Sequence, residues 1–190
     1  MLNKLFISKV RVKMLKQYLF NPGTEYHVRG LVREMKEEIN AVRRELGNLE
    51  EAGILKSQKR GNKLVYSLDP SCPILNELTS MLYKDRDDIK EIMKTLRKIQ
   101  VIGLAVLTKN YLTGEYPNSY DIDLLLVGDI EPEAVLHDFK KLEEKLEKSL
   151  RYSLMKKSDL EFQLKKRDVF IQNILQNDHI ILKGSEKDLA

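Results

Sequence analysis

The sequence predicts an α+β chain of two domains: three short helices with a two-stranded hairpin, followed by an α/β domain on a mixed sheet. Three observations carry this expectation. Apolar residues recur at helical spacing up to Gly53, two strand-like runs then flank a glycine-containing turn, and beyond Gln100 strand-like and helix-like runs alternate. The expected boundaries are 1–72 for the first domain, 73–99 for one or two connecting helices, and 100–190 for the second domain.

The elements follow in order. Val10, Val12, Leu15, Leu19 and Phe20 mark a helix from Ser8 to Phe20, stopped by Asn21-Pro22-Gly23. Glu25 to Val28 reads as a short extended piece. Leu31, Val32 and Met35 mark a second helix ending near Lys36. Ile39, Val42, Leu46 and Leu49, at steps of three, four and three, give a third helix that closes at Ala52-Gly53. The runs 54–58 and 64–68 then read as strands joined by Lys59-Arg60-Gly61-Asn62-Lys63, a turn with three positive charges.

After the punctuation of Asp69-Pro70-Ser71-Cys72-Pro73, apolar positions from Ile74 to Ile99 form one face of a helical stretch, interrupted by the polar run 84–88. That face fits either a dimer seam or packing within its own domain. Strands are expected over Val101–Leu107, Asp121–Val127, Arg151–Met155 and His179–Leu182. Helices are expected over Pro132–Leu150 and Ser158–Leu175.

Charge is unevenly placed. Residues 1–68 hold 14 Lys or Arg against 7 Asp or Glu, whereas residues 69–190 hold 19 against 22. A basic first third attracts polyanions, because Lys and Arg neutralise phosphates and release counterions. No apolar run reaches the roughly 18–20 residues of a membrane span, and the first ten residues lack the apolar stretch of a secretory signal, so a cytoplasmic protein with no membrane partner is expected. One cysteine and three scattered histidines give neither a disulfide framework nor a zinc ligand set.

The order helix, short strand, helix, helix and basic hairpin is that of a winged helix-turn-helix, in which the third helix lies in the DNA major groove. With the stripe Ile39, Val42, Leu46, Leu49 turned inward, Asn40, Arg43, Arg44 and Asn48 face outward. Arg pairs with guanine and Asn with adenine through two hydrogen bonds each. Lys59, Arg60 and Lys63 on the wing suit phosphate or the minor groove. The competing use of Arg43 and Arg44 is ion pairing with Glu37, Glu50 or Glu51. The segments Val28–Glu34, Asn40–Leu46 and Leu49–Leu55 resemble winged-helix transcription regulators of the ArsR and MarR type. That resemblance implies double-stranded DNA as partner, and a homodimer reading two half-sites one helical turn apart is expected.

The stretch Gly114–Gly128, with Asp121-Ile122-Asp123 before an apolar run, resembles the metal-binding segment of the polymerase-beta-like, or minimal, nucleotidyltransferases. Two carboxylates two apart on a strand share a face, and hard oxygens suit Mg²⁺. The resemblance implies Asp121 and Asp123 as metal ligands, and a nucleotide near Lys109, Asn110 and Tyr120. The chain departs from the family pattern at three points: Lys109-Asn110 replaces the Gly-Ser pair that cradles phosphate, Tyr120 replaces the serine before the first aspartate, and residues 151–155 lack the third carboxylate. The expectation is a transcription regulator whose second domain has lost transferase activity and serves ligand sensing, partner contact or assembly, with no resident cofactor. The alternative is an active Mg²⁺-dependent enzyme transferring a nucleotidyl group to a protein or small molecule, as antitoxin-type relatives do. Tyr111, Tyr116 and Tyr120 fit base stacking or loop packing.

Overall fold

Two compact units, divided between Asp85 and Arg86, make up the chain in a computed structural model that describes residues 2–189, apart from the side chains of Asn3 and Ala134. The segment expected to connect two domains, 73–99, is shared between the units.

The first unit starts with α1 (Leu2–Leu5), which no sequence pattern marks, and α2 (Lys9–Leu19). The Ser8 side chain accepts the Arg11 backbone N–H at 3.2 Å and so caps α2. Next come β1 (Tyr26–His27), α3 (Val28–Met35) and α4 (Ile39–Glu51). A three-residue turn joins α3 to α4. Lys36 takes a left-handed conformation, φ 54°, and the Glu38 carboxylate accepts the N–H groups of Asn40 and Ala41 at 2.9 and 2.8 Å. These backbone hydrogen bonds, aided by Arg43 and Arg44, hold the Glu38 carboxyl below the usual range.

Strands β2 (Leu55–Arg60) and β3 (Lys63–Leu68) pair antiparallel from Leu55↔Leu68 to Arg60↔Lys63, and β1 joins the outer side of β3. The wing is therefore tighter than the five-residue turn expected: Gly61 and Asn62 alone make the reversal. Gly61 has φ +58°, a conformation that costs glycine little and other residues more. Helix α5 (Leu75–Lys84) completes the unit, with Leu82 in the same core as Leu15, Leu31, Leu46 and Leu55. The order α2, β1, α3, α4 and the β2–β3 hairpin is that of a winged helix-turn-helix.

The second unit contains α6 (Asp87–Lys98), β4 (Ile102–Leu107), α7 (Lys109–Thr113), β5 (Leu124–Gly128), α8 (Pro132–Leu146), β6 (Tyr152–Met155), α9 (Lys157–Lys166), α10 (Val169–Gln176) and β7 (Ile180–Lys183), then a 3₁₀ turn over Glu186–Leu189. Its sheet has the order β6-β5-β4-β7. β4 runs antiparallel to β5 and β7, and β5 runs parallel to β6, so the sheet is mixed as the alternating pattern suggested. Leu104, Val106, Leu125 and Val127 turn one face of it to Leu160 of α9 and Ile171 and Ile174 of α10. α6 and α8 pack on each other, and the Phe139 ring of α8 meets Tyr152 of β6 at 4.7 Å.

Several expected boundaries move, for local reasons. The helix expected to run from Ser158 to Leu175 is two, because Arg167 is left-handed and the Asp168 carboxylate caps a new helix at Phe170 and Ile171. α8 stops at Leu146 because Glu147 is left-handed. Regular pairing in β5 begins at Leu124, so Asp121 and Asp123 precede the strand and do not lie on it. Much of the apolar stripe over 74–99 is used inside the chain, Leu82 in the first unit and Ile89, Ile92 and Leu96 in the second, while Ile74 is exposed.

Candidate nucleic-acid interface

α4 turns Val42, Leu46 and Leu49 into the core, so three and four residue steps leave a polar face outward. Asn40, Arg43 and Arg44 are exposed on that face and Asn48 is half-buried at its edge. Among the described residues no ion pair joins either arginine to Glu37, Glu50 or Glu51. Glu37 takes Lys13, Glu50 accepts the Ser57 hydroxyl, and Arg44 comes no nearer than 4.0 Å to Glu45. Gly47 lies between them with open space where a Cβ would stand, which lets a partner approach the helix backbone closely.

Beneath that face lies a residue the sequence reading missed. Glu45 sits three residues after Val42, in phase with the core stripe, and is 2% exposed. Its carboxylate accepts Arg11 Nε of α2 at 2.7 Å and Asn48 Nδ2 at 3.3 Å. Burial opposes the charge, but hydrogen bonds from Arg11, Ser8 and Asn48 outweigh it and hold the Glu45 carboxyl below the usual carboxylate range. The phase of a charged residue on an apolar stripe was the available signal. The effect is to pin α4 to α2 and to fix the orientation of the Asn48 amide.

On the wing, Lys59, Arg60 and Lys63 are exposed, as expected from the turn. Arg60 is engaged: its guanidinium meets Glu25 at 2.7 Å, leaving Lys59 and Lys63 as the cations without such a partner among the ion pairs of the described residues. The unit thus places a polar helix face with two arginines, and a basic hairpin, on one small fold.

In the second unit the residues marked for a metal and a nucleotide separate. A cleft of about 140 Å³ is lined by Thr108, Lys109, Asn110, Asn118 and Asp121, with Asn173 and Asn177 opposite. Asp123 is not in its wall. One Asp121 oxygen accepts the Asn118 N–H at 2.8 Å, which closes the 118–121 turn. Asp123 is completely buried; one oxygen accepts the Arg151 N–H at 2.9 Å, the other accepts the Tyr116 hydroxyl, and Lys148 Nζ lies 3.9 Å away. Asp121 and Asp123 lie in an irregular approach to β5, and only Asp121 lines the cleft.

This donor set does not suit Mg²⁺, which needs near-octahedral oxygen ligands. Asp123 is committed to an amide, a phenol and an ammonium. Among the described residues no group of three His, Cys, Asp or Glu side chains is close enough to hold a metal. Asn110 donates to the Glu115 carbonyl at 2.8 Å, Lys109 is exposed on the cleft, and Tyr120 is 54% exposed and outside it. The other two tyrosines serve packing. Tyr111 donates to Asp88 at 2.9 Å with Lys148 over its ring, and Arg151 lies 4.4 Å from the Tyr116 ring centre. Burial, then hydrogen bonding to Asp88 and Asp123 respectively, pushes both phenols well above the ordinary tyrosine range.

No helix among the described residues is long and apolar enough to cross a membrane. No family model matches the chain, and no curated protein matches it. Three solved structures are similar to parts of it. Reduced HlyU from Vibrio cholerae has 20% identity, covers 43% of this chain and 78% of its own, and superposes with a TM-score of 0.33. The transcriptional regulator BldR from Sulfolobus solfataricus has 18% identity over 52% of this chain and 78% of its own, TM-score 0.33. Human N-acetylserotonin methyltransferase in complex with SAM has 15% identity over 62% of this chain and 36% of its own, TM-score 0.31. Likenesses of this size do not define a family.

Proposed function

We propose that the chain is a DNA-binding transcription regulator whose first unit reads double-stranded DNA. The observation that carries this reading is the exposed α4 face. Asn40, Arg43 and Arg44 point outward on a helix narrow enough for the major groove, with no ion pair to the neighbouring glutamates named above. Asn48 joins them at the edge, fixed by Glu45. Lys59 and Lys63, with Arg60 once released from Glu25, meet phosphate or the minor groove and set position more than sequence. A homodimer spanning two half-sites belongs to the proposal. Leu82, Ile89, Ile92 and Leu96 of the apolar stripe over 74–99 are buried inside the chain and Ile74 is exposed; sedimentation at several concentrations checks the dimer.

The test is a gel shift with genomic fragments across a salt series. Binding weakens steeply with salt in the parent, and Arg43→Ala/Arg44→Ala abolishes it, each arginine contributing about 1–3 kcal/mol where it pairs with a base. Binding that is absent, or indifferent to salt and to the two arginines, rejects the reading.

We infer that the second unit has a non-catalytic role in ligand sensing, partner contact or assembly. The support is the commitment of the Asp123 carboxylate to Arg151, Tyr116 and Lys148. Incubation with labelled ATP and Mg²⁺ is expected to leave no transferred label. Transfer that disappears in Asp121→Asn overturns the inference in favour of a nucleotidyltransferase.

A further inference from the structure

A second cavity of the second unit has no part in the proposed DNA reading, and it lies apart from the Asp121 cleft. Its volume is about 460 Å³, within the roughly 300–1,000 Å³ of small-molecule sites. None of the residues lining the Asp121 cleft lines it. It opens where β5 ends and β4 begins.

The space arises from the backbone. Ile102 pairs with Gly128 and Leu104 with Val127, so Gly103 is an extra residue on β4 and the strand bulges there. A bulge re-aims a strand locally and is frequent beside binding sites. A Cβ on Gly103 would meet only the Val127 carbonyl oxygen, at 3.8 Å, so the absent side chain leaves open volume. Gly128 differs: a Cβ there would stand 2.0 Å from the Val101 carbonyl oxygen, so glycine is needed for the chains to pass.

The lining has two characters. Leu104, Val127 and Leu160 supply an apolar floor. Lys156 and Lys157, both exposed, stand at the rim, where α9 begins. The two carboxylates of the lining keep their charge, and Asp188 feels Lys157, but among the ion pairs of the described residues neither lysine is paired. Asp188 is occupied by the Ser185 N–H and hydroxyl at 2.8 and 3.0 Å, and Asp129 is exposed to water. A ligand that fills this space must bury an apolar body and offer negative charge to two ammonium groups.

We propose that this cavity binds a small apolar molecule carrying one anionic group, in the class of medium-chain or aromatic carboxylates. The apolar body lies on Leu104, Val127 and Leu160, and the carboxylate meets Lys156 and Lys157. The proposal goes beyond DNA reading and stands or falls independently of it.

Titration calorimetry of the full chain with decanoate, and with 1-decanol as the uncharged counterpart, tests it. Saturable binding of decanoate is expected, tighter than that of decanol. Lys156→Met/Lys157→Met weakens decanoate by about tenfold or more and leaves decanol nearly unchanged, through the loss of both charge-assisted contacts. Gly103→Leu fills the space and weakens both ligands. Amide NMR shifts in the parent locate the site without any variant: decanoate should move the Gly103 and Gly128 signals. No saturable binding, equal affinity for the two ligands in the parent, shifts that leave Gly103 and Gly128 still, or a well-folded Gly103→Leu protein that binds as before would each overturn the proposal.

Discussion

At the scale of single residues, the buried carboxylates of Glu45 and Asp123 each gather several partners, and sequence reasoning reached only Asp123. Glu45 was invisible to a search for outward-facing cations, yet it holds Arg11 and Asn48 from beneath the proposed reading face. Its folded-state pKa lies below the unfolded value, so its contribution is complete above the unfolded pKa, about 4.3, and disappears as pH falls through the folded one. Glu45→Gln should therefore cost about 2 kcal/mol at neutral pH, since removing one member of a buried pair strands the other but Arg11 is partly solvated. Urea melts at pH 7 and pH 3 check this, with the gap between parent and variant closing at the lower pH. Asp123 was legible as a notable carboxylate, but its partners were not. Its partners come from positions seven, 25 and 28 residues away (Tyr116, Lys148, Arg151), and no local spacing rule connects them.

At the scale of elements, the first unit was nearly all readable, because its core residues repeat at three and four and Gly53 and Gly61 mark real reversals. What escaped were stops set by backbone conformation at ordinary residues. Lys36, Glu147 and Arg167 all adopt left-handed φ without glycine to announce it, and two of them end helices earlier than the hydrophobic pattern implied. Holding a side chain in that region costs about 1 kcal/mol. Lys36→Gly, in the exposed turn between α3 and α4, should thus raise stability by about 0.5–1 kcal/mol, visible as a higher Tm with unchanged DNA affinity. A fall in Tm would mean that the Lys36 side chain contributes more than its backbone costs. The mixed sheet of the second unit was also legible as alternating strands and helices, but its bulge at Gly103 was not, since one glycine in a strand pattern does not say which neighbour it opposes.

For the whole molecule, the consequential facts are the concentration of positive charge in the first 68 residues and the presence of a core in each unit. A fragment of residues 1–85 should fold alone and keep most of the DNA affinity of the full chain. With four or five phosphate contacts, the logarithm of its affinity should fall with that of salt at a slope of about −3 to −5. A slope near zero, or a fragment that stays unfolded, would show that the remaining residues are needed for the reading surface. Separate interiors also bear on inheritance. If the proposed DNA reading holds, damage confined to the later half would leave a product that still occupies its operator while failing in whatever that half supplies. In a cell carrying an intact copy as well, such alleles would compete for the same sites and behave as dominant, whereas lesions in the earlier half would be recessive.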